Sequence, residues 1–353
     1  MYARALSVLL LPSTVFASPA LELVDAVTGP RGCAPRLLEK QEHRFLEAQL
    51  ACDTFLSLAL VGEALDGTLE KPAAASGVRR LLADARTRGR LPFARSPKSI
   101  LRRGYELLIF AGLARLDASS EAESRGFDAL AAEVRADVDA AAPAFVESFK
   151  GQYWPCDSSP AAAGLLLHGA LTGSLESTRA GQRLVARLEA LRRAEGGFIT
   201  RVDATGRALE TKPRGTVLAW TAGFLSLADP VAGRAFADDF YGRFCDAGVV
   251  VLGVTLPASC REWPRDVDGR PDAVSGPIVD GQGTGATALG IAALRASGRP
   301  ADADQLTATA ALVEVMPAAR GLAVGPLERS ILAWGAVARP WLPRRPDEAG
   351  PAR

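Results

Sequence analysis

The sequence predicts an all-α toroid: consecutive helical hairpins closing round one hollow, with a small β-hairpin excursion. Three observations lead there. Ala and Leu dominate the 353 residues while β-branched runs are scarce, which favours helix over sheet. Apolar residues recur at helical spacing through segment after segment, separated by short breaks. No fixed repeat period is present, so a solenoid of identical units does not fit, whereas stacked αα-hairpins of inner and outer helices fit the length.

Taken in order, residues 1–17 have one positive charge, a short apolar run and a Val15-Phe16-Ala17 end, the pattern of a secretory signal cleaved after Ala17. Residues 18–340 are then one toroid domain and 341–353 a disordered tail of low apolar content. Helices are expected over 37–65, 78–87, 96–116, 121–149 with a break at Pro143, 158–172 and 177–194. At 196–210 the period changes to a β-hairpin with a Gly-bearing turn. Helices resume over 216–227 and 230–244, with Pro230 at a first-turn position. An apolar stretch at 249–256 precedes the longest loop, 257–280, whose Asp, Pro and Gly content and length mark it as functional. The last helices are 284–296, 301–315 and 326–338.

Composition narrows the function classes. With 41 basic against 40 acidic residues the chain has no electrostatic pull toward nucleic acid. No segment past the leader reads as a membrane span. Two isolated histidines, His43 and His168, argue against zinc, and neither a phosphate loop nor a Gly-x-Ser-x-Gly elbow is present. An odd count of five cysteines leaves at least one thiol free in an exported protein. The spacing permits Cys245 with Cys260 and, more weakly, Cys33 with Cys52, leaving Cys156.

Chemistry is expected around residues 151–171. Tyr153, Trp154, Pro155, Cys156 and Asp157 are consecutive and open an apolar helix, with Asp157 or Ser158 as its N-cap and Pro160 in its first turn. A thiol at a helix start is acidified by the unpaired N–H groups, while Asp157 opposes this. Equally, Cys156 reads as a small buried hydrophobe. The Gly-rich run 275–288 leads into a helix and places Asp280 and Gln282 at a pocket rim.

Tyr153-x-x-Cys156-x-Ser158, Gly197-Phe198 through Lys212-Pro213, Ala219-Trp220-Thr221 and Asp229-Pro230 resemble, in order, blocks of linalool dehydratase/isomerase, from about residue 40 to about residue 310. The resemblance implies an (α/α)6 barrel in the periplasm, a ring-shaped homo-oligomer, and cofactor-free acid/base hydration, dehydration or isomerisation of a small apolar alcohol or alkene. The family's catalytic Asp corresponds to Asp53 and one of its two active-site cysteines to Cys156. Its active-site His falls on Tyr105, its other Cys near Glu147, and a Tyr becomes Ala59. In this reading Asp53 and Cys156 exchange protons and Tyr105 holds the oxygen of a small-molecule substrate, beside Tyr153, Trp154, Asp157, Asp280 and Gln282. The alternatives are a carbohydrate-active toroid enzyme using Asp157 and Asp280, with Trp154 as sugar platform, and a non-catalytic binding protein. Convergence of Asp53, Tyr105 and Cys156 favours the first. An open pocket with Trp and paired carboxylates favours the second, and a hollow filled by its own side chains the third.

Overall fold

The computed structural model describes residues 18–33, 42–192, 198–248, 250–251, 254–255, 258–265, 267, 269, 278–279, 281–319 and 325–342. The expected signal segment and Asp280 lie outside the described residues.

Twelve α-helices are present among the described residues: α1 (Pro19–Thr28), α2 (Glu42–Asp66), α3 (Lys71–Thr87), α4 (Ile100–Arg115), α5 (Glu121–Ala140), α6 (Ser159–Thr172), α7 (Leu175–Ala190), α8 (Gly215–Ala228), α9 (Pro230–Phe244), α10 (Thr284–Ala296), α11 (Pro300–Ala319) and α12 (Pro326–Val337). The even-numbered helices pack one on the next, and α12 returns to α2, closing a ring. Outside it, α3 and α5 lie against α4, α7 against α6, α9 against α8, α11 against α10, and α1 bridges α12, α2 and α3. This is the predicted α/α toroid. Its two layers differ as physics requires: α4 is buried from Ile100 to Leu113 on every face, while α5 and α7 bury one stripe each. Part of α2, Ala48–Asp66, is long and apolar enough to cross a membrane, but 89% of its apolar window is buried inside the ring.

Glycines set the spacing of the inner ring. A Cβ on Gly104 of α4 would lie 2.6 Å from the Ala161 nitrogen of α6, and one on Gly164 would lie 2.6 Å from the Leu107 Cβ. Three residues on in one helix matches three on in the other, so α4 and α6 run parallel. Near the opposite ends, Arg295 Nε of α10 donates to the Gly335 carbonyl of α12 at 2.9 Å. The starts of the inner helices therefore share one mouth.

Several boundaries depart from expectation for local reasons. Helix α1 was not anticipated; Ser18 caps it by accepting from Leu21 N–H at 3.0 Å, and its hydroxyl also bonds Glu63. Helix α3 starts seven residues before Val78, with Pro72 in its first turn and the Ala-rich run following. Ser99, not Ser96, caps α4, accepting from Arg102 N–H at 3.2 Å. Helix α5 begins with the Ser120–Glu123 capping box and ends at Ala140, ahead of Pro143, which cannot continue a helix. The tail expected from residue 341 begins ordered: Trp341 is buried, its N–H donates to the Leu227 carbonyl at 2.8 Å, and its own carbonyl accepts from Arg115 Nε at 3.1 Å. It thereby ties the far ends of α4 and α8 together.

The β-hairpin pairs β1 (Arg201–Val202) with β2 (Ala208–Glu210), turning at Gly206 with φ 87°. Short ribbons β3 (Cys245–Asp246) with β6 (Ser259–Cys260), β4 (Val250–Val251) with β5 (Val254–Thr255), and β7 (Ile278–Val279) with β8 (Gln282–Gly283) cross the region between α9 and α10. Disulfides join Cys33 to Cys52 and Cys245 to Cys260, leaving Cys156 as a buried free thiol.

Candidate functional site

The hollow is filled at mid-depth by aromatic side chains. Phe55 of α2 and Phe224 of α8 stand on opposite sides of the ring, yet their ring centroids are 6.0 Å apart. Trp334 of α12 stacks on both, at 5.4 and 5.1 Å, and Tyr105 and Trp220 pack beside them at 5.9 Å from one another. Only Trp220 of the five is half-buried, so it forms the floor of what remains open. Each such pair contributes roughly 0.5–1.5 kcal/mol beyond area burial.

Above that floor lies the mouth, assembled from loops that precede α6, α8 and α10. Pro155 starts a 3-10 turn, Pro155–Ser158, that runs straight into α6 and packs against α4, α6 and α8. Ser158 holds the N-cap position of α6, one of the two expected, but with helical backbone angles (φ −82°, ψ −13°) and without a side-chain cap bond. Cys156 sits inside the turn, not at an open helix start, and loses the expected acidification. Burial raises the thiol well above its ordinary pKa and Asp157 raises it further, while Arg214 works the other way. Its Sγ lies 3.7 Å from Asp157 Oδ1. A protonated, buried thiol is not a nucleophile near neutral pH.

Arg214, Glu262 and Trp263 complete this wall and went unrecognised in the sequence. Arg214 Nε donates to Glu262 Oε1 at 2.6 Å, both side chains being almost fully buried. Glu262 also accepts from Thr216 Oγ1 at 2.8 Å and Thr216 N–H at 3.3 Å, so it caps α8. Its carbonyl accepts from Gly215 N–H at 2.8 Å. Burial still holds Glu262 above the usual carboxylate range, against Arg214 and the Thr216 bonds. The guanidinium of Arg214 lies 5.2 Å from the ring centre of Trp263. The available signal was position: Cys260-Arg261-Glu262-Trp263 follows the second disulfide inside the loop whose length marked it as functional.

The other expected site residues fall in three places. Tyr153 and Trp154 are half-buried on the approach to the 3-10 turn. The Tyr153 carbonyl accepts from Val202 N–H at 3.1 Å, which pins the hairpin to the mouth, and Arg201 lies 5.9 Å over the Trp154 ring. Gln282 reaches Asp246 instead, donating from Nε2 to Oδ2 at 3.2 Å beside Arg261 and Arg265. Asp53 belongs to another neighbourhood. Its Oδ1 accepts from Gln49 Nε2 at 3.2 Å, and Gln49 also donates to Asp84 Oδ2 at 2.6 Å and to the Val27 carbonyl, on the side of α1 and α3. Burial, then the Asp84 charge, raise the Asp53 pKa well above normal. Tyr105 is buried in the aromatic filling. Asp53 thus faces the polar groups of α1 and α3 from the outer side of α2, while Tyr105 packs in the aromatic filling and Cys156 lies in the 3-10 turn. His168 is a core residue, its Nε2 2.9 Å from Asp128 Oδ1 and its ring edge-on to Phe127. Among the described residues no three His, Cys, Asp or Glu side chains are grouped to hold a metal ion.

No protein-family model and no curated protein matches the sequence. Among solved structures, the chain is similar to an unsaturated glucuronyl hydrolase specific for heparin, with 12% identity, a TM-score of 0.55, and coverage of 90% of this chain and 94% of that one. It is similar also to the unsaturated glucuronyl hydrolase from Bacillus sp. GL1, responsible for the degradation of glycosaminoglycan, with 14% identity, a TM-score of 0.48, and coverage of 83% and 89%. The shared feature is the α/α toroid fold. These neighbours are of another family than linalool dehydratase/isomerase, which corrects the family expectation drawn from the sequence.

Proposed function

We propose that this chain is a carbohydrate-active α/α-toroid protein that takes an oligosaccharide at the mouth of the inner ring, with Asp157 as its proton-transferring carboxylate. The observation that carries the reading is the make-up of that mouth. Half-buried Trp154 and Trp263 offer apolar platforms, and Asp157 and Arg214 both act on the buried Cys156. Half-buried aromatic faces beside carboxylate and guanidinium groups suit sugars, whose apolar faces stack while their hydroxyls take directed hydrogen bonds. The similar solved structures bear names of enzymes acting on such molecules, in agreement with this reading. Trp220 sets the depth, so a chain end is received rather than a threaded strand.

In the reaction, Asp157 delivers a proton to, or takes one from, the group at the scissile position, and Arg214 supplies positive charge along the same wall. Glu262 holds Arg214 in place and caps α8. The test is turnover of a panel of glycosaminoglycan-derived and neutral oligosaccharides by the parent chain and by Asp157→Asn. The expected result is turnover of at least one oligosaccharide, reduced about a hundredfold or more in the variant. Equal turnover by both would remove Asp157 from the chemistry, and no binding of any oligosaccharide would remove the reading.

The aromatic filling favours a second reading, a binding protein that holds sugars without turning them over. Binding with no turnover by the parent selects it. We also infer export: two disulfides suit an oxidising compartment, and the N-terminal segment has the pattern of a secretory signal. The N-terminal residue of the exported chain, read by mass, checks this.

A further inference from the structure

A cavity of about 490 Å³ opens on the outer face where α3, α4 and α5 meet, and none of the mouth residues lines it. We propose that it is a second binding site, for a compact organic anion that carries a carboxylate or phosphate on a partly apolar body. Three guanidiniums face it, from Arg86, Arg90 and Arg102, against the two carboxylates of Glu106 and Glu133. The balance is one positive charge in excess.

Glu106 organises two of the three cations. Its side chain is 1% exposed and receives Arg90 Nε at 3.1 Å, Arg90 Nη2 at 3.0 Å and Arg102 Nη1 at 2.6 Å. Arg102 also donates to the Pro97 carbonyl at 2.7 Å, so it is held from two sides, whereas the Arg90 side chain remains 48% exposed. Glu133 acts on Arg90 only through its charge. Arg86 lies 4.6 Å over the Phe110 ring, and among the described residues no carboxylate is within ion-pair distance of it. An unpaired guanidinium beside a second one with donors to spare is a fork for an oxyanion.

The walls define the rest of the ligand. Phe93, Ala94, Pro97, Ala129 and Leu130 form an apolar shelf, and Phe93 is fixed by stacking on Phe149 at 5.5 Å. Gly126 makes room for the Arg86–Phe110 pair, because a Cβ there would lie 3.2 Å from Arg86 Nη2 and 3.1 Å from Phe110 Cζ. The volume falls within the ordinary range for small-molecule sites.

The experiment is calorimetric titration of the full chain with phenyl phosphate, with inorganic phosphate as the anion alone. The parent is expected to saturate with a Kd of about 1 mM or tighter, weakening as salt is raised, and to bind inorganic phosphate about tenfold less well. Arg86→Met and Arg90→Met each should weaken binding about tenfold, Met keeping the packing on the ring and shelf. Gly126→Val tests the same site without changing charge and should also weaken it. No saturation by the parent up to about 10 mM, salt-independent binding, or arginine variants that bind like the parent would overturn the proposal. Thermal midpoints by circular dichroism establish that each variant is folded, and the parent's salt dependence decides the matter without any variant. Asp157→Asn, which does not line this cavity, should bind phenyl phosphate as the parent does.

Discussion

Asp53 and Glu262 are both carboxylates with no exposed surface, both on or against inner helices, and both held above the usual carboxylate range by burial. Their neighbours make them opposites. Glu262 has a guanidinium at 2.6 Å and the start of α8 to cap, whereas Asp53 has a second carboxylate, Asp84, beside it and a single amide donating to it at 3.2 Å. A buried ion pair costs desolvation but is strongly penalised when one half is removed; a buried acid beside another acid escapes by keeping its proton. The first arrangement fixes a loop in one place at the mouth. The second joins α1, α2 and α3 through Gln49.

That contrast is best broken by removing the cation. Arg214→Met leaves Glu262 buried without its counter-charge and should destabilise the chain by about 3–5 kcal/mol, measured by urea unfolding. Adding Glu262→Gln to Arg214→Met should restore part of that loss, since the orphaned charge is gone; a double variant no better than the single one would deny the pairing its importance. Next in size, Gly104→Ala pushes a methyl into the Ala161 backbone across α4 and α6 and should cost about 1–3 kcal/mol by the same measurement.

Asp53→Asn sharpens the other side of the comparison. The folded pKa of Asp53 is raised, so its burden on stability is absent below the unfolded value of about 4 and grows as pH rises toward the folded value, by about 1.4 kcal/mol per unit. The variant should therefore match or trail the parent at pH 3 and gain on it steadily as pH rises. A pH-independent difference would contradict a neutral buried Asp53. The smallest effect belongs to Cys156: its raised pKa and burial predict slow labelling by a thiol reagent in the folded chain and fast labelling after unfolding.

The architecture was legible because inner and outer helices leave different marks on a sequence. Helices α9 and α10 begin at Pro230 and Thr284, where a first-turn proline and a Gly-rich approach announced them. The cysteine pairs also follow the spacing, since each closes a short segment. What could not be read was direction. Helix α2 is buried nearly all round from Ala48 to Ala64, so the period that reveals an amphipathic face is silent there, and nothing local says that Asp53 faces α3 while Phe55 faces the hollow. Of the two readings of Cys156 the buried one matches its surroundings, because Pro155 begins a 3-10 turn that carries the thiol inward. Arg214 and Glu262 lie 48 positions apart and meet only because the ring closes, a pairing that no local pattern encodes.

In the proposed reading the mouth around Cys156, Arg214 and Glu262 receives a saccharide and the Asp53 cluster does not. Hydrogen exchange of the folded chain, with and without a saturating mixture of glycosaminoglycan-derived and neutral oligosaccharides, tests it most directly. Slowed exchange is expected at residues 153–158, 214–216 and 259–265, with no change at 49–57 or 84–88. Protection confined to 49–57 and 84–88, or no protection anywhere, would contradict it.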